Sequence, residues 1–455
     1  MEAGGPSSGR RRRRRRVGEV HGGGTDRISD LPDDVLGEII SLLPTKEGAR
    51  TQILASRWRH LWRSAPLNLD FRGLVNREDE LAGVVSRILS SHQGPGRRFC
   101  TPRRPISYGA DTLDAWLRSP AVANLEELYL CYPTAYHLPV QLLSESISRF
   151  STTLCGATIT SCQLPDVLQG LQFPNLKQLT LEEVRISECS LQHMIAGCPV
   201  LECLMIHESF GFSCVRINSV SLRSISVRAQ YYWRDGPEFK QLEIDNAPSL
   251  ESLLQLVFRS HLHVSVNFTP KLESLYCHSY SPAKIMFGST VIQGAKIYSL
   301  TTAVHSIKIL AVDMGILSLD TVIDLMKCFP SLEKLYIQTS NSGPNNLWLR
   351  KHKKLIRCHD IRLKKIVFEW YWGIRSQINF VTFFVLNASA LDSMTLRIQD
   401  RDYNEEFLAE HRRKLQLENR ASRGARFQFI TNMCVRNIRE IKDIHDFNLP
   451  DPFAC

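Results

Sequence analysis

Leu332-Glu-Lys-Leu-Tyr-Ile337 shows the pattern that decides the fold of this 455-residue chain, with aliphatic residues at the first, fourth and sixth positions. Alternate residues of a β-strand point to the same side, so the fourth and sixth positions enter a core together. The pattern recurs from Leu125 to Leu396, and successive copies start 21 to 35 residues apart. One copy cannot bury its apolar face alone. The recurrence therefore indicates copies that stack and share one continuous core.

The copies differ in how closely they keep the pattern. The closest copies start at Leu125, Leu176, Leu201, Leu222, Leu272, Ile307, Leu332, Leu363 and Leu391, and looser copies start at Leu154 and Leu250. Several follow an apolar or small residue and a proline, as at Phe173-Pro174 and Phe329-Pro330. Proline ends the preceding element and biases the residue before it to extended geometry, which suits a helix-to-strand turn.

The period of these copies is typical of leucine-rich repeats. Residues Leu191 to Ala196 and Thr321 to Cys328 have helical spacing of apolar residues before two of the copies. The predicted fold class is therefore α/β: a solenoid with parallel strands inside and helices or turns outside. Recognition by a solenoid usually occurs on its strand face. The candidate target-binding residues on that face are Glu126, Glu127, Tyr129, Lys177, Gln178, Thr180, Glu333, Lys334 and Tyr336.

A separate apolar segment, Asp26-Arg-Ile-Ser-Asp-Leu-Pro-Asp-Asp-Val-Leu-Gly-Glu-Ile-Ile-Ser-Leu-Leu-Pro-Thr45, precedes the repeats. Pro32 suits a helix start, and the aspartates after it place negative charge where the helix dipole favours it. Pro44 ends that helix, and Thr45 can cap the next one. About forty residues are too few to bury all the apolar side chains of this region. Three short helices with surplus apolar surface indicate a docking module.

This segment resembles the F-box of plant proteins, in the order Asp-Arg-Ile-Ser-x-Leu-Pro-Asp, an apolar helix, Leu-Pro-Thr-Lys and Arg-Trp-Arg-x-Leu-Trp. It departs from the family at Gly48, where a better helix former is usual and glycine costs about 1 kcal/mol relative to alanine. The resemblance implies binding to the SKP-type adaptor of an SCF ubiquitin ligase, and through it to cullin and the RING protein. The adaptor contacts that it implies are Leu31, Pro32, Val35, Leu36, Ile39, Leu43, Pro44, Trp58, Leu61 and Trp62.

The region after the repeats resembles the FBD module that closes many plant F-box/leucine-rich-repeat proteins. The resemblance rests on Ile361 to Phe368, Gln377 to Leu386 and Ala390 to Leu396, which imply a strand, an apolar helix and a strand. Phe380, Phe383 and Phe384 then either pack on the last repeat as a cap or form a free aromatic recognition face. We expect the first arrangement.

These patterns divide the chain into six segments. The predicted segments are a disordered basic tail (1–24), the F-box (25–66), a linker helix and loop (67–104), leucine-rich repeats (105–355), an FBD-like cap (356–400) and a charged C-terminal segment (401–455).

The net charge of +10 comes mainly from one run of seven arginines, and it falls to +3 when the run is set aside. The run comprises Arg10, Arg11, Arg12, Arg13, Arg14, Arg15 and Arg16. It is a candidate nuclear import signal or a nonspecific phosphate-binding arm. We expect a location in the nucleus, the cytoplasm or both.

Motifs for catalysis or cofactor binding are missing from the sequence. It has no Gly-x-Gly-x-x-Gly, no Gly-Lys-Ser/Thr loop and no paired Cys-x-x-Cys. It also lacks a run of about eighteen apolar residues that could span a membrane. We therefore expect a non-catalytic protein without cofactor, metal site or membrane segment, with cysteines that are reduced.

The resemblance implies a substrate-recognition adaptor of an SCF-type ubiquitin ligase that holds a target protein on its repeats. A small-molecule co-ligand in the repeats is a further option. The alternative from a different class is a nuclear scaffold that associates with nucleic acid through the arginine run. We expect no nucleic-acid contact beyond nonspecific binding by that run.

Overall fold

The computed structural model describes residues 28, 30–71, 73–74, 78–101, 110–131, 141–142, 145–164, 166, 170–228, 237–257, 262–278, 281, 283–341, 361–400, 403–431 and 451–453. The arginine run at 10–16 and the predicted tail 1–24 lie outside these residues.

The helices are α1 Asp33–Ser41, α2 Thr45–Arg50, α3 Trp58–Ser64, α4 Glu78–Ser91, α5 Ala110–Leu117, α6 Glu188–Ala196, α7 Leu319–Cys328, α8 Arg375–Asn387 and α9 Glu405–Lys414. The strands are β1 Leu67–Asp70, β2 Gly96–Cys100, β3 Glu127–Cys131, β4 Gln141–Leu142, β5 Gly156–Thr160, β6 Cys162–Gln163, β7 Gln178–Glu182, β8 Cys203–His207, β9 Cys214–Asn218, β10 Ser224–Arg228 and β11 Gln241–Asn246. They continue with β12 Ser252–Val257, β13 His263–Phe268, β14 Ser274–His278, β15 Lys284–Phe287, β16 Thr290–Gln293, β17 Lys296–Ser299, β18 Ile309–Ile316, β19 Lys334–Asn341, β20 Lys365–Glu369, β21 Ser393–Arg397 and β22 Arg426–Ile430.

Fourteen strands form one sheet in the order β1-β2-β3-β5-β7-β8-β10-β12-β14-β18-β19-β20-β21-β22. Neighbouring strands in it are parallel, as the repeat pattern predicts. The sheet is longer at both ends than predicted. Residues 67–104 are not merely a linker, because they supply β1 and β2 on either side of α4. The segment 401–455 is likewise not just a charged appendage, because β22 pairs with β21 and extends the sheet.

The outer layer of the repeats is not built only of helices and turns. Strands β9, β11, β13 and β15 form a second sheet of parallel neighbours, which β16 and β17 extend with antiparallel pairing. Its inward side chains, such as Val215 and Ile244, join the same apolar core as Leu204 and Leu253 of the large sheet. Residues 214–218 and 241–246 alternate buried and exposed side chains, which is the period of a strand. These strands were not among the predicted elements.

The large sheet has two faces with different partners. Along β14, Leu275 and Cys277 enter the main core, whereas Tyr276 points to the opposite face. We call that opposite side of the fourteen-stranded sheet the second face. Strands β5, β7 and β8 are each followed by a residue in the left-handed conformation, Ser161, Glu183 and Glu208, with φ between 51° and 56°. This repeated turn directs the chain away from the sheet at the same point of each unit.

The FBD-like region consists of β20, α8 and β21. Phe380, Phe383 and Phe384 of α8 are buried, and the Phe380 ring lies 5.9 Å from that of Phe368 in β20. These rings are therefore part of the core rather than a free recognition face. The helix covers the end of the solenoid, but β22 and α9 follow it and pack further along the same end.

Candidate adaptor and target interfaces

The F-box module has a small core of its own. Leu36, Ile40, Trp58, Leu61 and Ala65 are buried together, and Leu31 and Trp62 pack against them. Three of the predicted adaptor contacts, Leu36, Trp58 and Leu61, are thus covered by the module itself. Their role in this conformation is to hold the three helices together.

A second set of apolar side chains in the module faces solvent. Val35 and Ile39 are each 43% exposed, and Leu42, one turn further along, is 69% exposed. Ile53 and Leu54, in the turn between α2 and α3, are 85% and 65% exposed. The predicted contacts Pro32 and Pro44 are also exposed, whereas Leu31, Leu43 and Trp62 are half-buried. Apolar side chains left in water in such numbers mark an interaction surface. We call Val35, Ile39, Leu42, Ile53 and Leu54 the exposed F-box surface.

Leu42, Ile53 and Leu54 were missing from the sequence-based set. Leu42 continues the i, i+4, i+7 series from Val35 and Ile39, so helical spacing could have found it. Ile53 and Leu54 lie in a turn without a periodic signal. Only their exposure in the folded module shows that these two side chains remain outside its core.

Arg57 holds two parts of the F-box module together. Its guanidinium lies 2.6 Å from the Asp33 carboxylate and donates to the Leu31 carbonyl at 2.6 Å, which joins the start of α1 to the turn before α3. The Gly48 position also has a packing reason, because a Cβ there would lie 3.1 Å from the Trp62 ring. Glycine thus lets α2 approach α3, which its low helix propensity alone did not indicate.

Thr45 attaches the module to the large sheet rather than capping α2. The N-cap of α2 is Pro44, and the Thr45 hydroxyl donates to the Asn68 carbonyl at 2.8 Å and accepts from the Asp70 amide at 2.6 Å. The Asn68 side chain donates to the Leu43 carbonyl at 3.0 Å. A buried hydroxyl that serves as donor and acceptor fixes two backbone segments relative to each other.

Contacts with β2 and the end of α4 extend this attachment. Arg97 Nη1 lies 2.9 Å from Glu38 Oε2 and donates to Ser41 Oγ at 2.6 Å. His92 Nε2 donates to the Ala65 carbonyl at 2.9 Å, and the Gly94 amide donates to the Arg63 carbonyl at 3.0 Å. Burial is the main cause that lowers the pKa of His92 below its usual range, so the neutral ring is favoured here. The F-box is thus joined to the first two strands.

Three of the candidate target-binding residues, Glu126, Lys177 and Glu333, belong to a ladder of ion pairs between neighbouring repeats. Glu126 lies 3.6 Å from Arg97, Lys177 lies 3.4 Å from Glu202, and Glu333 lies 3.1 Å from Lys364. All of these residues except Arg97 occupy the second position of a Leu-x-x-Leu copy. Arg223–Glu251 at 2.9 Å and Lys308–Glu273 at 2.6 Å continue the series. The charge at this position was visible in the sequence but was not recognised as cross-repeat pairing.

Three further candidates lie next to this ladder. Glu127 lies 3.4 Å from the Arg98 guanidinium, which also stacks over the half-buried Tyr129 ring at 4.5 Å. Gln178 is half-buried at the start of β7. These three side chains remain candidates for target contact.

Thr180 and Tyr336, which are predicted for the target face, are only 4% and 1% exposed in this structure. Tyr336 belongs to a cluster on the second face that includes Tyr276, Ala311, Val367 and Phe453. Its hydroxyl donates to Asp451 Oδ2 at 2.8 Å, and Lys334 Nζ lies 2.8 Å from the same oxygen. A residue more than a hundred positions away in the sequence thus covers this part of the face.

Reactive groups are not gathered into a site in the part of the chain that the structure describes. No group of three or more His, Cys, Asp or Glu side chains is arranged to hold a metal ion there. The described cysteines form no disulfide bond, and burial raises the pKa of Cys277 to about 12, so its thiol is protonated at neutral pH. None of the described helices is both long and apolar enough to cross a membrane.

Three family models match successive parts of the chain. The F-box domain model matches residues 28–70, the model of the LRR repeats of FBD-associated F-box protein At5g56370 matches 113–337, and the FBD model matches 351–396. The matched order is that of the structure: helical module, parallel-strand solenoid, and strand–helix–strand end.

Similar proteins occur in Arabidopsis thaliana. The F-box/FBD/LRR-repeat protein At3g52680 is 30% identical over 234 residues, which is 51% of this chain and 51% of that relative. The F-box/FBD/LRR-repeat protein At3g26920 is 25% identical over 82% of this chain and 89% of the relative, and the FBD-associated F-box protein At4g10400 is 26% identical over 89% and 100%. The chain therefore spans about half the length of At3g52680 and most or all of the length of At3g26920 and At4g10400.

The fold, the exposed F-box surface and these matches define a protein with an F-box and leucine-rich repeats. The chain belongs to the plant F-box/FBD/LRR-repeat proteins.

Proposed function

We propose that this protein is the substrate-recognition adaptor of an SCF-type ubiquitin ligase and contributes no covalent chemistry of its own. The observation that carries the proposal is the exposed F-box surface, in which five aliphatic side chains are 43% to 85% exposed in a module whose own core is already filled. Such a surface fits an SKP1-type adaptor, through which cullin and the RING protein would be recruited. A target protein bound to the repeats would then be brought near the conjugating enzyme.

The attachment of the F-box to the sheet supports this mechanism. Ubiquitin transfer by proximity depends on a high effective concentration of target lysines near the conjugating enzyme. The bonds from Thr45, Asn68 and Arg97 restrict the angle between the exposed F-box surface and the repeats. A target held on the repeats would therefore keep a defined position relative to the ligase.

The test is co-purification of the full chain with a co-expressed SKP1-type adaptor. Replacing Ile39 and Ile53 together by aspartate puts two charges on the exposed F-box surface. Because a few central anchors carry most of an interface's energy, we expect a loss of about 2 kcal/mol or more, roughly thirtyfold in Kd. Val220→Asp, at a 68% exposed valine of the repeats, is the matched control and should leave adaptor binding unchanged.

Equal adaptor binding by the wild type, the double variant and the control would show that the adaptor does not bind the exposed F-box surface. The same double variant serves to find the target. With the proteasome blocked, targets should accumulate on the variant while adaptor and cullin are lost from it. A target set that does not change between the two forms contradicts the role in ubiquitination.

Two expectations from the sequence remain proposals. The arginine run 10–16 is proposed as an import signal, with the protein in the nucleus, the cytoplasm or both, and fluorescence imaging of a chain lacking residues 1–24 tests it. A small-molecule co-ligand is the second.

A further inference from the structure

Residues Asp451, Pro452 and Phe453 lie on the second face of the sheet. Asp451 is 6% exposed and Phe453 is 4% exposed. The Asp451 carboxylate receives the Tyr336 hydroxyl and the Lys334 ammonium on one oxygen, each at 2.8 Å. The Phe453 ring lies 5.6 Å from the Tyr336 ring, and its amide donates to the other Asp451 oxygen at 3.3 Å. The three residues thus form a compact turn with one acidic and one aromatic anchor.

The sheet provides a separate subsite for each anchor. Lys334 of β19 and Lys365 of β20 are register partners, and like charges directly opposite each other on neighbouring strands repel. A carboxylate beside them offsets that repulsion. Lys365 Nζ also lies 5.4 Å from the Tyr336 ring centre, so the ring is bordered by positive charge. This is the chemistry of a site for an anion.

The aromatic subsite is apolar and lies beside the anionic one. Phe453 belongs to the same buried cluster as Ile309, Tyr336 and Val367, which come from three adjacent strands. Arg397 of β21 is paired with Glu369 at 2.9 Å, so its charge is already engaged. The carboxylate therefore meets the lysine charges of β19 and β20, and the ring meets the apolar floor.

We propose that this part of the second face, between β18 and β20, is the binding site for a target peptide carrying a carboxylate and, two residues later, an aromatic ring, and that Asp451–Phe453 occupies it in the free protein as an intramolecular competitor. The inference rests on the proposed function, because a recruited target is what displaces the segment. A target that makes more contacts with this face than Asp451–Phe453 does would displace the segment. The apparent affinity of the target is reduced by the fraction of molecules in which the site is open.

The test uses a fluorescent peptide with the sequence Leu-Pro-Asp-Pro-Phe-Ala of residues 449–454 and the full chain, followed by fluorescence anisotropy. The double variant Asp451→Asn with Phe453→Ala empties the site and should bind the peptide at least tenfold more tightly than the wild type. In that background Lys334→Ala should weaken binding at least tenfold. Lys364→Ala, at a lysine that pairs with Glu333 instead, is the control and should not. A peptide with asparagine in place of aspartate should not compete.

Equal peptide affinity of the wild type and the double variant would overturn the intramolecular competition. Absence of binding to the emptied chain up to about 1 mM would overturn the site itself. Should the double variant fail to fold, Asp451→Asn alone keeps the shape of the segment. The proposal is then overturned if this single variant, folded by its melting temperature, gains no peptide affinity. Adaptor co-purification is measured on the same samples, so a chain that binds peptide but no adaptor contradicts only the proposed function.

Discussion

The hydroxyl of Thr45, in the second helix of the F-box, accepts a hydrogen bond of 2.6 Å from the backbone amide of Asp70, in the first strand of the repeat sheet. The two residues are 25 positions apart, and both are buried. This bond therefore joins the F-box directly to the backbone of the solenoid. It provides the simplest test of how firmly they are connected.

Thr45→Val keeps the size of the side chain and removes the hydroxyl. We expect the chain to lose about 1–3 kcal/mol of unfolding free energy, because a buried amide loses its acceptor. Hydrogen exchange at the Asp70 amide should accelerate in the variant. Thr152→Val, at an exposed threonine, is the control and should change neither quantity. Unchanged protection of the Asp70 amide in Thr45→Val contradicts the proposed attachment.

Two glycine-to-alanine changes on either side of the end of α4 should have opposite effects. At Gly94 a Cβ would lie 2.2 Å from the Ala65 carbonyl oxygen, so Gly94→Ala forces the F-box away from the sheet and should cost about 1–3 kcal/mol or more. At Gly83, inside α4, a Cβ meets no atom within 4 Å, and alanine should stabilise the helix by about 1 kcal/mol. Thermal unfolding of both variants measures these two changes in stability. A Gly94→Ala chain as stable as the wild type speaks against close contact at this junction.

Stability should fall on acidification from pH 7.5 to 5.5, partly because of His411. Its Nδ1 lies 3.0 Å from the Tyr371 hydroxyl, and its ring stacks on Phe407 at 3.9 Å. Burial, then the charge of Lys414, lowers the pKa of His411 below its usual range, while Glu410 acts in the opposite sense. The unfolded chain therefore binds the proton more readily than the folded one. The contribution of neutral His411 to the free energy of unfolding is complete above the unfolded pKa of about 6.5. It is lost as the pH falls below that value toward the lower pKa of the folded chain.

The measurement is the melting temperature across that pH range. His411→Gln should flatten the decline, because the proton that favours the unfolded chain is no longer bound there. His305→Gln, at an exposed histidine, should leave the decline as it is in the wild type. An identical pH dependence in wild type and His411→Gln excludes a contribution from this ring.

Single pairs of the charge ladder should contribute little. Lys308 and Glu273 are 2.6 Å apart, but each side chain is 46% exposed, so solvent screens their attraction. We expect Lys308→Ala to cost less than about 1 kcal/mol in denaturant unfolding, and the difference should shrink further at about 1 M salt. A larger loss that persists in salt means that the lysine stem packs against the sheet rather than acting through its charge.

The F-box and repeat patterns determined which elements form, because the information lies within each segment. The spacing predicts that Leu332, Leu335 and Ile337 enter the core, and all three do, as do their counterparts in the copies at Leu125 and Leu176. The helix from Asp33 follows equally from its proline, its aspartates and its apolar spacing. Each of these signals acts between residues at most seven positions apart.

Only the tertiary structure decided which surfaces stay accessible. Tyr336 occupies the same position in its copy as Tyr129, yet it is buried because Asp451 and Phe453 lie on it. Trp58 and Leu61 have the spacing of contact residues, but the other helices of the module cover them. Covering partners lie far away in the sequence and leave no periodic trace beside the residue they cover. The alternation of a strand thus specifies the face on which a side chain lies, and long-range packing specifies whether anything else can reach it.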